Sequence, residues 1–151
     1  MGKKNVFLDE VQIERLKSTP DEKFWSTLAE MIDTKEDWIV KYDNQKSYVG
    51  LGKEDLLTVF NTPRVYTVYT LESNGKRIGN IIEQFNKIGL SQSSSYLLNI
   101  FYCDGDNEIT MDEVAELTDY LTGHSPKGSE MIWGCSIDKT LGDHLKVLLI
   151  V

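Results

Sequence analysis

Apolar positions along this chain change period several times, and each change marks an element. Phe24, Trp25, Leu28, Met31 and Ile32 recur at the spacing of one helix face. Thr19, Pro20, Asp21 and Glu22 before them have the form of a capping box with proline at the first helical position, so an amphipathic helix with an aromatic-rich face is expected there. A shorter helix is expected to precede it over residues 9–17. Trp38, Val40 and Tyr42 then alternate up to a polar Asp43-Asn44-Gln45-Lys46 turn, which predicts a hairpin returning through Tyr48. Gly50 and Gly52 mark the boundary with the remainder of the chain.

Beyond that boundary the alternation is more regular. Leu56, Leu57 and Phe60 predict a short helix, followed by a β-branched and aromatic strand over 64–71. Ile78, Ile81, Ile82 and Phe85 share one helical face that Gly89 is placed to stop, and residues 96–103 read as the next strand. Thr110-Met111-Asp112-Glu113 is a second capping box. Ile109 and Val114 occupy the two positions of a hydrophobic staple, so a helix is expected to start at Met111 and turn Val114, Leu117 and Leu121 inward. Strands over 131–137 and 144–151 complete the order strand, helix, strand, helix, strand, strand. That order predicts an α+β fold with a mixed four-stranded sheet and two packed helices over 52–151, preceded by a helical and hairpin extension over 1–51. No internal repeat is visible, and the serine-rich run 91–95 reads as an ordinary loop.

Composition narrows the function classes. The 151 residues, 40% of them hydrophobic, suffice for one core. A formal charge of −8, with no basic run longer than Lys3-Lys4 or Lys76-Arg77, argues against binding nucleic acid by counterion release. No stretch is apolar for the roughly 18 to 20 residues that cross a bilayer. The first ten residues lack the apolar core of a secretion signal, and Val6 stands where a myristoylation signal needs Ser or Thr. A soluble, cytoplasmic protein without a membrane partner is the expectation.

The candidate chemistry is sparse. Cys103 and Cys135 belong to no metal-ligating pattern and read as reduced thiols in apolar strands. His124 and His144 have no neighbouring nucleophile or carboxylate with triad-like organisation, and no phosphate-binding loop or G-x-S-x-G occurs, so no cofactor and no catalytic residue are expected. Trp25, Trp38 and Trp133 read as packing residues. One acidic stretch stands out: Asp104, Asp106, Glu108, Asp112, Glu113, Glu116 and Asp119 lie in residues 104–119 with no basic residue among them. Acidic side chains also suit a helix N-terminus, so a solvated face explains them better than an interaction surface does.

The same stretch resembles a calcium-binding EF-hand loop. Asp104, Asp106, Glu108, Thr110 and Glu113 fall on its ligand positions, with Ile109 at the eighth, and the resemblance implies oxygen coordination of calcium ending in a bidentate Glu113. Tyr102 at the first ligand position and Asn107 in place of the turn glycine depart from that pattern. The loop would also require 96–101 to be helical.

A broader resemblance covers residues 52–151. Asp55-Leu56-Leu57-Thr58-Val59-Phe60, Leu97-Leu98-Asn99-Ile100, the helix from Glu108 to Leu121, and Ile132-Trp133-Gly134 with Asp138, Leu141-Gly142-Asp143 and Val147 are similar, in order and spacing, to the C-terminal domain of the FtsZ/tubulin family. The resemblance implies that domain's fold, a bacterial cell-division context, and a protein partner such as an FtsZ filament that the domain could bind or cap; a diverged domain of this kind with another partner is the alternative. Asp55, Asp112, Glu113, Glu116, Asp138 and Asp143 are the candidate partner contacts it suggests, and homo-oligomerisation stays open. It does not imply GTP hydrolysis. The family's glycine-rich phosphate loop has no counterpart here, and too few residues precede Gly52 for a nucleotide-binding domain. The catalytic-loop pattern N-x-D-x-x-D is matched by Gly50, Gly52 and Asp55, leaving one of its three polar groups.

Overall fold

A computed structural model describes residues 2–31, 47–49, 52–88 and 95–151 of the chain. Their centre is a six-stranded sheet: β1 (Gly2–Leu8), β2 (Ser47–Val49), β3 (Arg64–Glu72), β4 (Ser95–Tyr102), β5 (Glu130–Ile137) and β6 (Lys146–Ile150). The spatial order is β1-β3-β6-β4-β5-β2, with β4 and β5 parallel and the other neighbours antiparallel. The four strands expected from periodicity are the inner four. β1 and β2 extend the sheet on either side, so residues 1–51 supply both flanking strands among the described residues.

Five α-helices among the described residues cover the sheet: α1 (Glu10–Ser18), α2 (Asp21–Met31), α3 (Lys53–Val59), α4 (Arg77–Asn86) and α5 (Met111–His124). β4 shows why both faces are buried. Its sequence SYLLNIFY is apolar on both parities, as a strand sandwiched between two layers must be. Leu97 and Phe101 enter one cluster with Val6, Leu8, Ile13, Leu16, Phe24, Leu28, Leu56, Phe60 and Tyr66. Tyr96, Leu98, Ile100 and Tyr102 enter the other with Ile81, Phe85, Val114, Leu117 and Leu121. Helices α1 to α3 thus pack on one face, and α4 and α5 on the other. Phe24 and Leu28 lie within the first cluster, so these two residues of the N-terminal helix are buried on the same sheet as the rest of the described residues.

Local signals fix several helix ends. The hydroxyl of Thr110 accepts from the Glu113 N–H while the Glu113 carboxylate accepts from the Thr110 N–H, and both staple residues, Ile109 and Val114, are buried. Asp9 and Gln12 make the same reciprocal pair at the start of α1. Thr19 corrects the expectation from sequence. Its hydroxyl donates to the Arg15 carbonyl at 2.6 Å and its N–H to the Leu16 carbonyl, so it closes α1, and α2 begins after it at Asp21. The ammonium of Lys53, at the first turn of α3, donates to the carbonyls of Lys17 and Thr19 at 2.9 and 2.6 Å and completes that helix end.

The expected hairpin through Trp38, Val40, Tyr42 and residues 43–46 lies outside the described residues, as do Gly50, Gly89 and residues 91–94. Ser47–Val49 is a strand, paired with β5.

Candidate functional site

One end of the sheet gathers most of the candidate side chains. β4 and β5 finish there at Tyr102 and Ile137, β6 begins there at Lys146, and β3 ends there at Glu72, which pairs with Lys146. Two turns knit this end together. The Asp138 N–H donates to the Tyr102 carbonyl at 2.7 Å, joining the ends of β4 and β5. Ser73 and Leu145 bond twice: the Ser73 N–H donates to the Leu145 carbonyl, and the Leu145 N–H donates to the Ser73 hydroxyl at 2.7 Å.

Asp104, Asp106, Glu108 and Asp112 are exposed around the start of α5, and Glu116 and Asp119 continue along its outer side. Asp143 is exposed in the β5–β6 turn, 3.5 Å from Nε2 of His144, whose Nδ1 lies 3.8 Å from Glu72. Asp138 has a different role from its neighbours. It is 2% exposed, and its carboxylate accepts from the N–H and hydroxyl of Thr140, which fixes the turn and withdraws the group from any partner surface. Asp55 is elsewhere. It sits in the first turn of α3, on the opposite face of the sheet from α5, where its carboxylate accepts from the Gly52 N–H at 2.9 Å as the reaching-back half of a cap. The six candidate contacts therefore do not form one surface: Asp112, Glu116 and Asp143 rim one end, Asp138 is internal, Asp55 lies behind, and Glu113 is committed within the fold.

Glu113 is held by Arg77. The guanidinium donates from Nε to Oε2 at 3.1 Å and from Nη2 to Oε1 at 3.0 Å, and its Nη1 donates to the Asn107 carbonyl at 2.7 Å. This bidentate, largely buried pair joins the N-terminus of α4 to that of α5 and to the 3₁₀ turn Gly105–Asn107. Sequence reading missed Arg77. The available signal was a cation in the first turn of a helix, where the dipole disfavours it and some other partner must be supplied.

The pair also bears on the calcium reading. A twelfth-position Glu must offer both oxygens to the ion, and here both accept from a guanidinium. The segment entering the loop is strand β4 rather than a helix. Among the described residues no group of three or more His, Cys, Asp or Glu could hold a metal ion.

The thiols are apart from this end or peripheral to it. Cys135 is fully buried in β5, and burial pushes its pKa up to about 11. Cys103 is partly exposed, just past β4, with its sulfur 3.7 Å from the Lys139 carbonyl. Trp133 packs partly buried against the α4–α5 cluster. His124 stacks on Tyr120 at 4.0 Å between centroids near the end of α5, and its Nδ1 lies 2.8 Å from the Tyr120 carbonyl. A shallow depression of about 470 Å³ beside the acidic end is lined by Asn74, Lys76, Asn80 and Glu83. A smaller one of about 260 Å³ lies at the opposite end, between Tyr96, Ser125 and Lys127. No helix among the described residues is long and apolar enough to cross a membrane.

No protein-family model matches the chain, and no curated protein matches it in sequence. Solved structures do match in fold. An empty FtsZ dimer from M. jannaschii aligns with a TM-score of 0.63 at 17% identity, over 91% of this chain and 41% of that one. A point mutant of M. jannaschii FtsZ aligns at 0.65 and 17% identity, over 97% of this chain and 45% of that one. TubZ from Bacillus thuringiensis serovar israelensis, in GDP-form protofilaments, aligns at 0.58 and 10% identity, over 95% and 40% respectively. The chain therefore has an FtsZ/tubulin-like fold and spans less than half the length of these chains. At such identities the likeness concerns the fold, and it includes the N-terminal residues as well as 52–151.

Proposed function

We propose that this chain is a non-enzymatic, cytoplasmic interaction module that docks on a protein filament of the FtsZ type. The observation that carries the reading is the match of more than nine-tenths of the chain to FtsZ structures, of which it covers only 41 to 45%. Fold by itself does not carry function, so the site must supply the rest. Hydrolysis in a neighbouring subunit needs a pair of carboxylates to polarise water, and here Asp55 stands alone, with one of its oxygens accepting from the Gly52 N–H as the cap of α3. What α5 offers outward is a row of solvated carboxylates, Asp112, Glu116 and Asp119, on a helix anchored by Arg77 and by its apolar inner face. Such a row favours a basic partner surface and speeds encounter with it.

Sedimentation of FtsZ from the encoding organism, polymerised with GTP with and without this protein, tests the reading. A change in pelleted FtsZ that a charge-reversed Asp112→Lys/Glu116→Lys variant fails to produce is the expected result. GTP turnover by the purified chain, or pelleting indifferent to its presence, would overturn it.

A further inference from the structure

Independently of the filament reading, we propose that the outer edge of β1 is a homodimer interface, in which the strand pairs antiparallel with β1 of a second copy about a two-fold axis through Asn5.

The hydrogen-bond parity of the sheet identifies which groups face outward. Thr67 and Val151 exchange both N–H to carbonyl bonds at 2.9 Å, so the odd positions of β3 bond to β6. In an antiparallel ladder bonding direction alternates, so the even positions of β3 bond to β1. The register pairs Tyr66 with Val6 and Val68 with Lys4, which directs the even positions of β1 inward. Lys3, Asn5 and Phe7 consequently send their N–H and carbonyl groups away from β3. Among the described residues β1 is the last strand on that side of the sheet.

The side chains of these same residues share a face, and one of them is out of place in water. Phe7 is 60% exposed and lies in register with Val65, itself 54% exposed, so two large apolar groups stand together at the rim that α4 and α5 leave uncovered. Thr67 donates its hydroxyl to Asn5 in the next row, and the Lys3 ammonium lies 5.9 Å from the ring of Tyr69 in the row after.

A second copy of β1 fits this edge in one register. Pairing about Asn5 sets Lys3 against Phe7, Lys4 against Val6 and Gly2 against Leu8, and it uses all seven residues of the strand with every outward N–H and carbonyl satisfied. Each Phe7 ring receives the stem and ammonium of the other copy's Lys3, an apolar and cation–π contact together. Pairing about Lys4 would carry Phe7 and Leu8 past Gly2, the first residue of the strand, and leave the exposed ring without a partner in β1. Pairing about Val6 would carry Lys3 past the strand end to Asp9, which has left the sheet to cap α1. In the Asn5 register the two copies of Lys3 are four residues apart, about 13 Å, beyond the Debye length of about 8 Å at physiological salt, and the two copies of Lys4 are diagonal, about 7 to 8 Å apart, rather than directly opposite.

Sedimentation velocity across a concentration series reads the outcome. The wild-type chain is expected to dimerise. Phe7→Lys, which sets lysine against Lys3, is expected to raise the dissociation constant by about tenfold or more. Lys3→Glu/Phe7→Lys re-pairs opposite charges in the same register and is expected to recover the dimer. Asn5→Pro removes one outward donor while leaving the β3 ladder intact, and weakens association independently of charge. Circular dichroism checks that each variant is folded. A monomer at every concentration, a dimer indifferent to Phe7→Lys and Asn5→Pro, or a double variant no tighter than Phe7→Lys overturns the proposal.

Discussion

Arg77 and Glu113 stand 36 residues apart in sequence and meet through two parallel hydrogen bonds at the joined N-termini of α4 and α5. The two helices reach the sheet from separate strands, and this pair sets the position of their ends.

Removing one member should therefore cost more than a surface ion pair. Both groups are mostly buried, 16% and 23% exposed, and Arg77→Met leaves the Glu113 carboxylate with only its cap. A loss of about 2 kcal/mol is expected, between exposed pairs at about 0 to 1 and fully buried ones at about 3 to 5. Urea unfolding measures it. A double-mutant cycle with Glu113→Gln should return a coupling of about 1 kcal/mol or more. An Arg77→Met variant within a few tenths of wild type would show that the pair is incidental.

Lys53 is expected to hold α1 in place. Its ammonium is bonded to two carbonyls at a helix end that lies 34 and 36 residues away, so Lys53→Met should destabilise by about 1 to 2 kcal/mol and Lys53→Arg by less. Hydrogen exchange at the last turn of α1 should accelerate in Lys53→Met ahead of global unfolding. Unchanged protection there would contradict the assignment.

Asn99 is a polar group in an apolar layer. It is 1% exposed, its amide donates weakly to Ser136 at 3.3 Å, and its Oδ1 has no hydrogen-bond partner. Ser136→Ala should cost about 1 kcal/mol, because it leaves the buried amide without a partner at either end. Asn99→Val/Ser136→Ala removes both groups and should be neutral or more stable than wild type. A double variant less stable than Ser136→Ala alone would point to a role for Asn99 that its contacts do not reveal.

Cys135 gives a pH dependence of definite sign. Burial raises its pKa from 9.0 to about 11, so between those values the folded chain retains a proton that the unfolded chain has released. Stability from this group is complete below about pH 9 and lost as pH rises toward 11, a fall of about 3 kcal/mol. Cys135→Val should flatten the alkaline limb of the stability profile. At neutral pH one thiol, Cys103, should react with an exposed-thiol reagent in the folded state, and two in urea.

Signals carried within a few residues were legible in the sequence. The start of α5 was readable because Ile109, Thr110, Glu113 and Val114 meet through spacing alone, and the inner four strands because their apolar runs are bounded by turns. Where one local pattern served two helices, reading failed: Thr19 is suited both to capping α2 and to closing α1, and the carbonyl of Arg15 decides it. Strand β1 was not visible because GKKNVFL places only Val6 and Leu8 in the core, and its existence depends on β3, about sixty residues later. The acidic residues were visible as a cluster but not as three populations. Whether a carboxylate is solvated, as Asp112 is, bonded inside a turn, as Asp138 is, or held by a guanidinium, as Glu113 is, depends on partners that sequence spacing does not encode.

The position of β6 governs when the sheet can form. It comes last among the strands in chain order yet lies between β3 and β4, so among the described residues no strand pairing joins the first half of the sheet to the second until residues 146–150 are inserted. Until then β3 and β4 each expose an open edge beside an apolar face. Closure requires contacts between segments some 80 residues apart on one side and 50 on the other. Such topology folds slowly and is most prone to aggregate while the gap is open. Synthesis on the ribosome would hold the chain in that state until its residues 146–150 emerge, and a chaperone able to shield two edges at once would find its longest-lived substrate there.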